Sequence, residues 1–312
     1  MNPLQVTDLT KTFTKRHFFK KPEEFTAVNH ISFHMKDHEI LGFLGPNGAG
    51  KTTTIQMLLG TLIPTSGSIQ YFGKDFAQNR SEILTQVTYA SGYDKLPSRL
   101  TVYENLEIYA RLYDIPSNKR AERITHFLKF FDMWDKRDVL TAALSAGQMT
   151  RILLAKAFIP YPQLVLLDEP TASLDPEIAY DVRRFILEQN KRYGTAVLFT
   201  SHNMDEVTEL CSRVLVLKNG SIIADSSPLQ LASSVATARV HLMVTQGLDQ
   251  LISYAQENNI LFKREENSII LHLAEQNIAK TLNELAKHGI LYSQISIDKP
   301  SLEDYFISVA KH

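Results

Sequence analysis

An α/β core on a parallel sheet, interrupted by an inserted helical subdomain and followed by a smaller α+β unit, is the architecture this 312-residue sequence predicts. Three observations carry that expectation. A glycine-rich turn, Gly45-Pro-Asn-Gly-Ala-Gly50, lies between an apolar run ending at Leu44 and a helical stretch from Lys51. All-apolar runs at Leu164–Leu167 and Ala196–Phe199 are each followed by helix-like sequence, as strands of a sheet covered on both faces require. After Ser226-Ser-Pro228 a new series of short strands and helices begins.

In order along the chain, β-rich runs at Leu4–Leu9, Val28–His34 and Glu39–Leu44 come first, the last entering the glycine turn as the start of a βα unit. From Thr101 to Pro160 the pattern becomes amphipathic helix, holding Phe127–Phe131 and Trp134. This is the inserted subdomain, about 93–160. The second unit has strand Val240–Val244, helix Leu248–Glu257, strands Leu261–Arg264 and Ser268–His272, helix Gln276–His288, strand Leu291–Ile297 and a last helix from Ser301. That βαββαβ order predicts a small ferredoxin-like sandwich. The expected domains are 1–229 and 230–312, as the length also suggests.

Composition narrows the function. With 33 basic against 34 acidic residues the formal charge is −1, so the basic surplus of a nucleic-acid reader is missing. Cys211 is the single cysteine, which excludes an intrachain disulfide or a cysteine-rich zinc site and points to a reducing compartment. The longest apolar runs fall far below the roughly 20 residues that span a bilayer. The N-terminus lacks a basic region followed by an apolar stretch, so no signal peptide is read there.

The glycine turn continues as Gly45-Pro-Asn-Gly-Ala-Gly50-Lys51-Thr52 and matches G-x-x-x-x-G-K-[ST] at every fixed position. Such glycines let successive backbone N–H groups turn toward an anion without a Cβ in the way. The candidate phosphate cradle is Gly45, Pro46, Asn47, Gly48, Ala49, Gly50, Lys51, Thr52 and Thr53. The helix N-terminus adds about half a positive charge. Lys51 is placed to reach the β- and γ-phosphates of a bound nucleotide, and Thr52 to offer its hydroxyl to Mg²⁺. An ordinary glycine turn is the plainer alternative.

Leu164-Val-Leu-Leu-Asp168-Glu169 puts two carboxylates where an apolar strand ends, the edge at which open α/β sheets bind ligands. Asp168 suits a metal contact through water, and Glu169 suits a base toward the attacking water. A solvated acidic turn would look similar.

With Leu144-Ser145-Ala146-Gly147-Gln148 ahead of this pair, Ser173-Leu-Asp175 behind it and Thr200-Ser-His202 after the next strand, residues 3–228 resemble the nucleotide-binding subunit of an ABC transporter. The resemblance implies that Ser145, Gly147 and Gln148 form a signature loop contacting the γ-phosphate held by a second copy of the chain. It makes His202 the switch histidine, Asp175 part of the loop crossing the dimer interface, and Phe13 the aromatic platform for adenine. Each residue also has a local reading. Ser145-x-x-Gln148 is a capping box, Asp175-Pro176 an N-cap with Pro at the first helical position, His202 a turn histidine and Phe13 a core residue.

Two departures stand out. Ala146 replaces the usual glycine, where a strained φ would cost about 1 kcal/mol or more. Aligning Leu100-Thr-Val-Tyr-Glu104-Asn105-Leu106 leaves Gly92 where the family has a glutamine facing Mg²⁺ and the attacking water; Gln86 falls too early, and Ser91 or Tyr93 are the substitutes at hand.

The resemblance implies an ATPase that dimerises around two ATP and drives a separate integral membrane permease docked on the 93–160 region, with the chain peripheral on the cytoplasmic face of the membrane. Ser301-Leu-Glu-Asp-Tyr-Phe306 resembles the tail of bacterial drug and polysaccharide exporters, with the smaller domain accessory or regulatory. The basic-aromatic run Lys15-Arg-His-Phe-Phe-Lys-Lys21 is a solvated hairpin tip or a lipid contact. A soluble non-transport ABC ATPase and an ATP-binding module with poor hydrolysis are the alternatives.

Overall fold

The computed structural model describes residues 2–15, 23–92, 94–172, 174–235, 238–266 and 268–311. The basic run through 16–21, Tyr93 and Ser173 lie outside them. The chain divides into two units, Met1–Ser227 and Pro228–His312.

The first unit opens with antiparallel strands β1 (Leu4–Lys15) and β2 (Glu23–Met35), followed by β3 (Ile40–Leu44) and helix α1 (Lys51–Leu58). Next come β4 (Ser66–Tyr71), β5 (Lys74–Asp75), α2 (Arg80–Leu84) and β6 (Val87–Ser91). Helices α3 (Val102–Leu112), α4 (Ser117–Phe130) and α5 (Ala146–Phe158) separate β6 from β7 (Leu164–Asp168). The unit ends with α6 (Pro176–Tyr193), β8 (Ala196–Thr200), α7 (Met204–Leu210), β9 (Arg213–Lys218) and β10 (Ser221–Ser226).

Two sheets result. One has the order β2-β1-β4-β5; the other runs β10-β9-β3-β8-β7-β6, parallel throughout except for the antiparallel edge strand β10. Every residue of β3 and β8 is buried, as a strand covered on both faces must be. A core of Leu4, Val6, Phe33, Phe43, Met57 and Tyr71 joins residues of both sheets and α1, and the buried Tyr71 hydroxyl donates to the Leu58 carbonyl at 2.8 Å. Strands β3, β6, β7 and β8 all point the same way, so their carboxyl ends share one edge.

The first two strands run longer than expected, to Lys15 and from Glu23. Their outer halves are largely exposed, and register shifts near Asp8 and His30, at φ +45° and +48°, break the alternation that marks a strand in sequence. Between β6 and β7 the helices pack on α6 through Phe185. Its ring lies 4.7 Å from those of Phe130 and Phe158, 4.9 Å from Phe131 and 6.1 Å from Phe127.

The second unit begins with α8 (Pro228–Ser233) and β11 (Ala238–Gln246), then α9 (Leu248–Glu257), β12 (Leu261–Glu265), β13 (Ser268–Leu273), α10 (Ile278–Lys287), β14 (Leu291–Asp298) and α11 (Leu302–Lys311). Its strands pair antiparallel in the order β12-β13-β11-β14. Ala238, Val240, Leu242 and Val244 alternate inward from β11 and meet Leu251, Ala255 and Leu285 of α9 and α10. A 3₁₀ turn at Glu275–Asn277 delays α10, which therefore starts later than Gln276.

Candidate active site

The phosphate cradle follows from backbone crowding. A Cβ on Gly45 would come 2.5 Å from the Leu217 carbonyl oxygen, and one on Gly50, at φ +103°, would come 2.5 Å from that of Ala27. Gly48, at φ +81°, faces open space, so only its conformation demands glycine. Helix α1 has neither a side-chain N-cap nor an acidic residue in its first turn, which leaves its leading N–H groups and dipole available to an anion. The Lys51 ammonium folds back onto the carbonyls of Gly45 and Pro46. Burial pulls it below the usual lysine value, while the charges of Glu169 and Asp168 oppose that shift.

Strand β7 ends at Asp168, opposite Thr200 of β8. The Thr200 hydroxyl donates to Asp168 Oδ1 at 2.6 Å and accepts from the Glu169 N–H at 3.0 Å. Glu169 sits at φ +52°, a left-handed conformation that turns the chain sharply off the strand. Its Oε2 accepts from the His202 N–H at 3.2 Å, and His202 Nε2 lies 3.2 Å from its Oε1 without hydrogen-bond alignment. Burial raises the Glu169 carboxyl above the usual carboxylate range; His202 and Lys51 oppose this and Asp168 adds to it.

The loop carrying His202 is held from below. Buried Glu206 accepts from Thr171 Oγ1 at 2.6 Å and Ser201 Oγ at 3.0 Å, and pairs with Arg183 at 3.1 Å. Asn203 caps α7 by accepting from the N–H groups of Asp205 and Glu206. Sequence reasoning missed Thr200 and Glu206. Thr200 ends an apolar strand just as Asp168 does, which was a usable signal; Glu206 looks like any acidic residue of a first helical turn.

A cleft of about 600 Å³ gathers Pro46 through Thr53, Asp168, Glu169 and His202. Tyr89, Ser91, Asp94, Phe25 and Ala27 complete its lining. Phe13 is not among the lining residues. It pairs across the hairpin with Phe25, 61 % exposed, and lies under the Lys11 ammonium, so the aromatic lining of the cleft comes from Phe25 of β2 and Tyr89 of β6. Gly92 donates its N–H to the Asp168 carbonyl at 3.1 Å, and a Cβ there would stand 2.6 Å from the Glu169 carbonyl oxygen. Gln86 instead accepts from the Gln163 side-chain amide at 2.6 Å. Ser91 hydrogen-bonds the Tyr89 phenol, which burial pushes up to about 12.

Ser145, Gly147 and Gln148 stay outside this cleft. Ser145 and Gln148 form a complete capping box at the start of α5: Ser145 Oγ accepts from the Gln148 N–H at 3.3 Å, and Gln148 Oε1 accepts from the Ser145 N–H at 3.0 Å. Ala146 is the first residue of that helix and has no positive φ, so the expected strain of alanine is absent. Asp175 is the backbone N-cap of α6 with no side-chain capping bond, leaving its carboxylate exposed.

The arrangement can bind a polyphosphate and hold a carboxylate over its end. Residues 28–172 match the family described as ABC transporter, and 140–208 match one described as an AAA domain. A bacitracin transport ATP-binding protein of Bacillus licheniformis is 30% identical over 311 residues, 98% of this chain and 96% of that protein. A Nod factor export ATP-binding protein of Cupriavidus metallidurans is 33% identical over 229 residues, 72% of this chain and 74% of its own. Among solved structures, a dimeric ATP-binding cassette with ADP and phosphate superimposes with a TM-score of 0.64 at 22% identity, over 72% of this chain and 98% of that one, a likeness of fold. The chain belongs to the ATP-binding subunits of ABC transporters, which are ATPases.

Proposed function

We propose that this chain is the ATP-hydrolysing subunit of an exporter, that two copies close on two ATP, and that a separate membrane permease takes up the motion. One observation carries the reading: Lys51, Thr52, Asp168, Glu169 and His202 line one cleft, whereas Ser145, Gly147 and Gln148 lie outside it. A second copy is the natural source of the missing wall.

The oxygen donors suit Mg²⁺, a hard cation bound mostly through phosphates and water. Among the described residues no group of three His, Cys, Asp or Glu side chains could hold a metal alone. Thr52 and Asp168 would hold it, and the bound ion would neutralise negative charge on the phosphates. The rest belongs to the protein. The α1 N-terminus and Lys51 stabilise charge on the phosphates. Glu169 holds the attacking water and accepts its proton, and His202, fixed by its own N–H on Glu169, faces the same γ-phosphate. Phe25, with Phe13 beside it, offers adenine a face, and Asp175 reaches the partner copy.

Export is supported by the transport and export names of the two relatives, one of which matches along both units. Among the described residues no helix is long and apolar enough to cross a membrane. The relatives' names as ATP-binding proteins of transport and export support a permease supplied by a second protein, with this chain peripheral on the cytoplasmic face. The antiparallel order β12-β13-β11-β14 around two helices supports a ferredoxin-like accessory domain from about residue 230. Cargo contacts belong to the permease. Tagged full-length chain recovered from detergent-solubilised membranes of its host should bring down a stoichiometric multi-helix membrane protein. A clean soluble dimer without one would overturn the exporter reading.

A further inference from the structure

The loop after β6 presents a side chain to the cleft, but not from the position the family pattern uses. At Gly92 the Glu169 backbone fills the space a Cβ would need, at 2.6 Å. Two residues on, Asp94 lines the cleft alongside Lys51, Asp168 and Glu169. Its N–H donates to the Ser91 carbonyl at 3.1 Å, fixing the turn directly beside β7. Asp94 Oδ2 lies 3.9 Å from the Lys156 ammonium, whose side chain is only 12% exposed and which stands 5.1 Å over the Tyr109 ring. Tyr109 belongs to α3 and Lys156 to α5, the helix that the Ser145–Gln148 box begins.

The long ion pair leaves Asp94 with hydrogen-bonding capacity toward the cleft. Three carboxylates and one ammonium among the lining residues leave an acidic excess at the end where phosphate oxygens would arrive, a balance that a divalent cation corrects. Burial and the Asp168 charge both disfavour ionised Asp94, and Lys156 opposes them, so an added cation stabilises the carboxylate further.

We propose that Asp94 is the positioning residue of this site: it accepts a hydrogen bond from water at the end of the cleft where Thr52 and Asp168 would hold the metal and, through Lys156, ties that water to α5. This rests on the ATP-binding reading above. The glutamine is replaced by a carboxylate on a different residue, not simply lost.

The test is binding of a fluorescent ATP analogue to the full chain, with and without Mg²⁺, beside steady-state hydrolysis. Asp94→Asn should bind the analogue without Mg²⁺ within about twofold of wild type, while needing about tenfold more Mg²⁺ for half-maximal tightening. Its kcat should fall about tenfold or more with KM little changed, and Asp94→Glu should recover most of both. Lys156→Met should keep the Mg²⁺ requirement and lose kcat. An Asp94→Asn protein with wild-type Mg²⁺ dependence and kcat overturns the inference. So does one whose metal-free binding and melting temperature fall together without rescue by glutamate, which marks a purely structural residue. Failure of wild type to bind the analogue would instead sink the ATP-binding reading and this inference with it.

Discussion

His202 holds Glu169 through its backbone N–H, which donates to Oε2 at 3.2 Å, while its imidazole Nε2 stands 3.2 Å from Oε1 without hydrogen-bond alignment. The carboxylate that would take the proton from water is thus set by the loop that would sense the γ-phosphate.

Glu169→Gln should lower turnover by about 10²–10⁴ and leave nucleotide binding intact, because the amide keeps the shape and loses the base. The phosphate-release rate checks this. Turnover at the wild-type rate would remove Glu169 from the role.

The raised Glu169 carboxyl has two pH consequences. The acid limb of the turnover profile should lie above the usual carboxylate range, since a protonated acid cannot accept a proton. For stability, a carboxyl raised by folding contributes fully below its unfolded pKa, and the contribution is lost as pH rises through the folded value. At neutral pH the ionised carboxylate therefore costs stability, and Glu169→Gln should raise the melting temperature by about 1–3 °C, less in acid. Melting curves at several pH values read this directly.

Arg213 anchors the opposite side of the unit. It binds Asp225 through Nε at 2.5 Å and Nη2 at 3.0 Å, and contacts buried Glu39 at 3.2 Å and the His34 carbonyl at 3.1 Å. Arg213→Met would strand Glu39 without a countercharge, at a cost of about 3–5 kcal/mol. Denaturant unfolding should show the midpoint fall.

The cradle glycines should separate by cause. Gly48→Ala meets only the left-handed φ, a cost of about 1–2 kcal/mol. Gly50→Ala also meets the Ala27 carbonyl at 2.5 Å, so it should lose nucleotide binding or folding where Gly48→Ala keeps folding. Nucleotide titration beside a melting curve distinguishes them.

Much of this was legible in the sequence. The cradle, Asp168, Glu169 and His202 stand at strand ends, where apolar runs stop at polar residues, and the structure brings them into one cleft. Helix Leu248–Glu257 is found at its expected bounds. What escaped depended on pairing across distance. Phe25 reaches the cleft wall through its cross-strand partnership with Phe13, on a hairpin whose outer half has no core to pattern it. Asp94 matters because Glu169 turns at φ +52° and crowds Gly92, a relation no spacing reveals. Ala146 looked strained only until it proved to be the first residue of a helix.

In the proposed dimer the capping box would serve the partner copy's site. Ser145→Ala should cost about 1 kcal/mol of stability through lost capping while leaving nucleotide affinity of the single chain unchanged. Its stronger effect should fall on association.

Sedimentation velocity of the Glu169→Gln chain, with and without MgATP, tests the shared-site account most directly. A monomer that becomes a dimer only with ATP, and fails to do so when Ser145→Ala is added, is the result expected. A chain that stays monomeric with saturating ATP, or dimerises equally without it, would contradict the account.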